Sequence, residues 1–298
     1  MILPNFIWQF QHQFVSLEFV KSIHARDIQR GSTDYFLLNQ LWKSASPVTL
    51  PLWCAGLWFL FATREGKRHR LLGWMYVIPL VALFAAKGRD YYLAPAYPML
   101  LAAGSVWGER WFTSLSARSA LIVRRIAWRV LAVAVLATAA VTLPLAPINS
   151  SWCRFADDVM GGNFNSQIGW PDMVETVAKI RDSLPAPDQS TLGILAGDEG
   201  EVGAINLYGP AYGLPAAISG MNSNWLRGYG NRPPQTLIVL GENRDFVDQN
   251  FASCALVARA TNRYGIANSS VAGWDDIFLC RQLRQPWPVF WKHFKYYG

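Results

Sequence analysis

Four apolar runs within about a hundred residues constrain this chain more than any other feature. They cover roughly 47–63, 70–86, 91–107 and 126–146. Each is about 16–21 residues long, near the lower end of what crosses a hydrocarbon core. Pro51, Pro79, Pro95 and Pro98 lie inside or beside these runs, which membrane helices tolerate when neighbours satisfy the freed carbonyls. Four such runs in succession argue against the buried helices of a globular core. The whole chain is 52% hydrophobic and only 16% charged, with a mean hydropathy of +0.13. That balance fits a chain divided between lipid and water. The expected fold is an α-helical polytopic membrane region of about four transmembrane helices over 47–146, followed by a small extracytoplasmic α/β domain over 147–298. Residues 1–46 form an extracytoplasmic juxtamembrane segment in this reading.

The cations give the orientation. Arg64, Lys67, Arg68 and Arg70 fall in one connection, and Arg110, Arg118, Arg124 and Arg125 in the next but one. Cytoplasmic loops are enriched in such residues. The expected location is therefore the inner (cytoplasmic) membrane, multi-pass, with 1–46, the turn near 87–91 and 147–298 outside. The net charge of +7 is not gathered into a basic stripe with interleaved aromatics, so nucleic acid is not an expected partner. The lipid bilayer is. The N-terminus, MILPNFIWQFQHQF, lacks the basic start and cleavage site of a signal peptide.

The second half alternates in pattern. Residues 169–184 have a helical period with Pro171 and Asp172 in the first turn. TLGILAG (191–197), TLIVLGE (236–242), CALVARATN (254–262) and DIFLCRQL (276–283) read as strands, with helices over 201–209 and 244–251. GDEGEVG (197–203) reads as a helix start, where acids are favourable. GMNSNWLRGYGNRPP (220–234) offers sugar-contacting chemistry or a plain surface loop. The tail places Trp287, Phe290, Trp291 and Phe294 on one helical face. Cys254 and Cys280 sit in adjacent late strands and form the favoured disulfide in an oxidising compartment. The four histidines show no metal spacing.

Between two of the apolar runs stands KGRDYYLAPAYP (87–98), denser in polar groups than a turn between membrane helices requires. Lys87 and Arg89 there are either cations reaching for headgroups or an anion site. Tyr91 or Tyr92 could add a hydroxyl donor. Asp90 could brace Arg89 or ligate a divalent cation, and the sequence leaves any metal requirement open. KGRDYYLAPAYPMLLAAG (87–104) resembles the turn-and-helix signature of the C-terminal half of bacterial membrane glycosyltransferases of family 39, within the GT-C superfamily. These are relatives of the protein O-mannosyltransferases and of the aminoarabinose transferase. PNFIWQFQHQFVSLEF (4–19) and AGDEGEVGAINLYGPAYGLPAAISGMNSNWLRGYG (196–230) resemble further parts of that half, so the likeness covers nearly the whole chain.

The resemblance implies a polyprenyl-phosphate-linked sugar as donor and an extracytoplasmic acceptor. Lys87, Arg89 and Tyr92 would hold the donor phosphate and stabilise the charge that develops as the glycosidic bond breaks, with Asp90 and Tyr91 in support. Tyr92 is preferred because the family's tyrosine precedes a proline by three positions, as Tyr92 precedes Pro95. The family's catalytic carboxylate lies in an N-terminal outer loop. Asp27 and Asp34 precede the first apolar run, yet nothing around them matches that motif, so no catalytic residue is assigned. The chain is expected to be inactive without a separate N-terminal half. A non-catalytic membrane protein with a glycan-binding outer domain is the alternative, and a transporter subunit ranks lower.

Overall fold

The computed structural model describes residues 2–31, 33–42 and 44–298. The chain divides into two compact units, Met1–Ala139 and Ala140–Gly298.

The first unit is helical. It comprises α1 (Ile2–Gln11), α2 (Val15–Gln29), α3 (Phe36–Trp42), α4 (Leu50–Ala62), α5 (Arg70–Ala85), α6 (Tyr97–Ser114) and α7 (Ala117–Thr142), the last running into the second unit. Its core gathers Trp53, Phe59 and Leu60 of α4, Tyr76 of α5, and Leu93, Tyr97 and Leu100 at and before the start of α6. Helices α4 and α6 approach closely because both lack side chains at the crossing. A Cβ on Gly56 would fall on the Leu100 carbonyl oxygen, and one on Gly104 would fall on that of Leu52.

The expectation of about four transmembrane helices is overturned: among the described residues no single helix is long and apolar enough to cross a membrane. The physical reasons are helix length and the placement of charge. The run 70–86 yields a helix of 16 residues, about 24 Å at the helical rise, short of a hydrocarbon core of about 30 Å. The run 47–63 opens with a 3₁₀ turn at Pro47–Thr49 and leaves a helix of 13 residues. The run 91–107 begins as a 3₁₀ segment, Asp90–Ala96, with Pro95 inside it. Helix α6 then carries Glu109 and Arg110, and the first half of α7 carries Arg118, Arg124, Arg125 and Arg129. Only a pair bent by 83°, α3 with Pro47–Ala62, reaches the required length and composition together.

The second unit contains α8 (Ser151–Val159), α9 (Trp170–Ser183), α10 (Ala186–Ser190), β1 (Leu192–Ala196), α11 (Glu199–Tyr208), β2 (Ala217–Ile218), β3 (Thr236–Leu240), α12 (Arg244–Asn250), β4 (Phe251–Arg259), β5 (Asp276–Leu283) and α13 (Trp287–His293). The sheet order is β2-β1-β3-β5-β4. Strands β2, β1 and β3 are parallel, and β5 and β4 are added antiparallel. Strand β3 is buried along its whole length, as a central strand covered on both faces must be.

Alternation along the strands divides the core in two. Ile194, Ile238 and Leu240 face Val174 and Val177 of α9 and Ile205 of α11. Leu195, Leu237 and Val239 face the other way, toward Val247 of α12 and Trp287, Phe290 and Trp291 of α13. The result is a helix–sheet–helix sandwich.

Candidate functional site

The turn after α5 is shaped by how that helix ends. Gly88 N–H donates to the Leu83 carbonyl (2.7 Å) and Lys87 N–H to that of Phe84 (3.2 Å). This double bond pattern is a Schellman motif. Its left-handed position is held by Lys87, at φ 49°. Glycine is the residue that occupies such a position without steric cost, yet here glycine is one place later.

Arg89 follows in extended conformation and turns back toward α2. Its Nε and Nη2 donate to the two carboxylate oxygens of Asp27, the second bond at 3.0 Å. Nη1 donates to the Tyr91 hydroxyl (2.7 Å). Asp27 is only 6% exposed, so the fork-to-fork pair fixes the guanidinium plane. The hydrogen bond from Arg89 holds the Asp27 carboxyl below its usual range, and Asp27 raises the Arg89 pKa in return. Arg26 in the last turn of α2 and Arg30 just after the helix also act on the Asp27 charge. Among the described residues Lys87 has no ion-pair partner, and its side chain is exposed.

Asp90 has a different role from bracing Arg89. Its carboxylate accepts from the Tyr91 backbone N–H (2.8 Å). Its carbonyl accepts from Gln40 Nε2 (2.9 Å) and Ser44 Oγ (3.3 Å), and Gln40 is itself held by the Tyr97 hydroxyl (2.9 Å). These bonds tie the 3₁₀ segment to α3. Tyr91 and Tyr92 are both half-exposed and meet edge to face at 4.9 Å. Tyr91 is the one bonded to Arg89. Partial burial is the largest cause raising the Tyr92 phenol pKa.

The structure thus brings Lys87, Arg89, Asp90, Tyr91 and Tyr92 into one turn and adds Asp27. Asp27 carries no local signal, since its partner lies 62 residues away. The exposed residues Leu71, Trp74, Met75, Ile78, Val81 and Phe84 form a stripe at helical spacing along α5, and that stripe ends at the Lys87 turn.

In the second unit, Cys254 and Cys280 are cross-strand partners joined as a disulfide. Open α/β sheets commonly bind ligands beyond the carboxyl ends of the parallel strands, where the strand order reverses. Here that place, after β1 and β3, is filled by the protein itself. The Tyr296 hydroxyl donates to the Gly197 carbonyl (2.6 Å). Glu201 accepts from the backbone of Gly197 and Asp198 (3.1 Å each) and completes a capping box with Asp198. The aromatics of 220–234 are also engaged internally: Trp225 and Trp291 each donate an indole N–H to the other's carbonyl, and Tyr229 stacks on Trp287. Among the described residues no three His, Cys, Asp or Glu side chains converge as a metal would require.

No protein-family model, no curated protein and no solved structure matches the chain.

Proposed function

We propose that the 87–92 turn receives the phosphate of a lipid-linked sugar, and that the chain acts as the C-terminal portion of a membrane-associated glycosyltransferase. The donor is a polyprenyl-phosphate sugar and the acceptor is extracytoplasmic. The observation that carries this reading is Lys87 in a left-handed cap position that favours glycine, beside an Arg89 locked in place by Asp27. Strained backbone of this kind clusters at functional sites; Gln13, Phe14, Asn222 and Gln282 share the left-handed φ, and Lys87 is distinguished from them by its exposed ammonium beside Arg89. A pre-oriented guanidinium and an unpartnered ammonium suit a leaving phosphate, whose charge grows as the sugar departs. The apolar stripe of α5, which leads to the turn, suits the carrier's hydrocarbon chain. The Cys254–Cys280 disulfide is in keeping with an oxidising compartment for the second unit.

Lys87→Gly separates this reading from a structural one. Relief of the left-handed conformation should stabilise the chain by about 1 kcal/mol, read by equilibrium unfolding. The same change should weaken binding of a short-chain polyprenyl phosphate by about tenfold, because one charge-assisted contact is lost. Binding is measured in detergent micelles against the corresponding phosphate-free polyprenol. Equal affinity for the alcohol and the phosphate, or unchanged phosphate affinity in the variant, defeats the proposal.

A further inference from the structure

The β4–β5 connection, residues 260–275, does not hang free. The Asn268 amide donates to the carbonyls of Ser166 (3.2 Å) and Ile168 (2.9 Å). Arg263 pairs with Asp172 at 2.8 Å, and Ser269 Oγ donates to the Gly162 carbonyl (2.6 Å). Asn262 folds the loop on itself, donating to Ile266 O and accepting from Tyr264 N–H. Between this pinned loop and the start of α9 lies a cleft of about 160 Å³. Its apolar lining includes Trp170, Met173, Val271 and Ala272, and its polar lining includes Thr261 and Asp275. The Trp170 indole is fixed by its own bond to the Ser166 carbonyl (2.9 Å).

Three features set the chemistry of an occupant. The first is size: an apolar cavity of about 150 Å³ suffices for a benzene ring, so this cleft holds one six-membered ring. The second is the pairing of an aromatic with small apolar groups, which suits the C–H face of such a ring. The third is the polar supply. The loop's two asparagines are spent on backbone, whereas among the described residues the Asp275 carboxylate and the Thr261 hydroxyl have no side-chain partner. We infer that the cleft between α9 and the β4–β5 loop binds a single pyranose unit, with the Asp275 carboxylate accepting from its hydroxyls and the Thr261 hydroxyl donating to or accepting from them. The site is made wholly within the second unit and does not depend on the phosphate reading of the 87–92 turn.

Ligand-observed NMR on the purified full-length chain tests this, with the methyl glycosides of glucose, mannose and galactose as probes and cyclohexanol as the apolar ring control. At least one glycoside should bind with a dissociation constant on the order of 1 mM, as ligand size allows. Asp275→Asn should weaken it by about tenfold through loss of a charged acceptor, and Ala272→Trp, which adds a bulky ring to the lining, should abolish it. Far-ultraviolet circular dichroism confirms that each variant is folded. The inference is overturned if no glycoside binds at about 50 mM, if cyclohexanol binds as well as the best glycoside, or if a folded variant of either kind binds like the parent chain.

Discussion

Glu201 is 3% exposed, and its carboxyl group is held by two backbone N–H groups at the start of α11. Burial is the largest influence on it and pushes its pKa up to about 8, against the opposing effect of those hydrogen bonds. An unfolded glutamate titrates near 4.3. Between those values the folded chain carries a proton that the unfolded chain has released. Stability therefore falls as pH rises through that window, because the folded state binds more protons than the unfolded one. Glu242, pushed by burial to about 7, adds a slope of the same sign. Glu201→Gln retains an acceptor for both N–H groups and removes the titration. Urea unfolding at about pH 5 and about pH 8 should show a shallower loss of stability in the variant than in the parent. An equal loss in both would mean that Glu201 is ionised without penalty where it sits. Asp27 is the opposite case, a buried carboxylate kept charged by a neighbouring guanidinium.

Strands β4 and β5 show how an element can be secured twice. They share an antiparallel ladder from Phe251↔Leu283 to Arg259↔Asp276, with an irregularity between Leu256 and Ala258. Strand β4 is largely exposed along its length and lies at the sheet edge, so burial contributes less to it than to β3. The disulfide closes a sequence separation of 26 residues. In the chain-entropy account a loop of that size is worth about 3.5 kcal/mol. The Cys254→Ala/Cys280→Ala double variant should lose about that much stability in urea, while an unchanged midpoint would show that the ladder alone holds the edge. The α4–α6 crossing rests on a different device, two glycines that bring backbones together. Neither glycine stands out in an apolar run, where small residues are also plain filler. The cysteine pair is legible because both residues sit in segments with strand patterning of their own.

At the scale of the molecule, each unit closes its own core. The second unit covers both faces of its sheet with helices that all lie within 140–298. A fragment of those residues should unfold cooperatively in urea with an intact Cys254–Cys280 bond, as a domain with its own core does. A molten profile without a transition would show that it needs the remainder of the chain. What the sequence determined by itself is what short-range chemistry writes. The continuous apolar run of β3, the helix start at Asp198 and the aromatic face of α13 are each carried by neighbouring residues within a few turns or one strand. The density of polar residues at 87–92 was legible for the same reason. Tertiary structure decided the rest. Asp27 is the partner of Arg89 only because α2 passes beside the turn, and no spacing in the chain encodes that approach. The cleft at Trp170 and Asp275 likewise joins segments about a hundred residues apart. The apolar runs do not become spans for two reasons: the helices from 47–63 and 70–86 are too short, and α6 and α7, though long enough, carry charged side chains along their length. The 3₁₀ segments at Pro47–Thr49 and Asp90–Ala96 interrupt two of the runs through backbone hydrogen bonding, which apolar side chains do not announce.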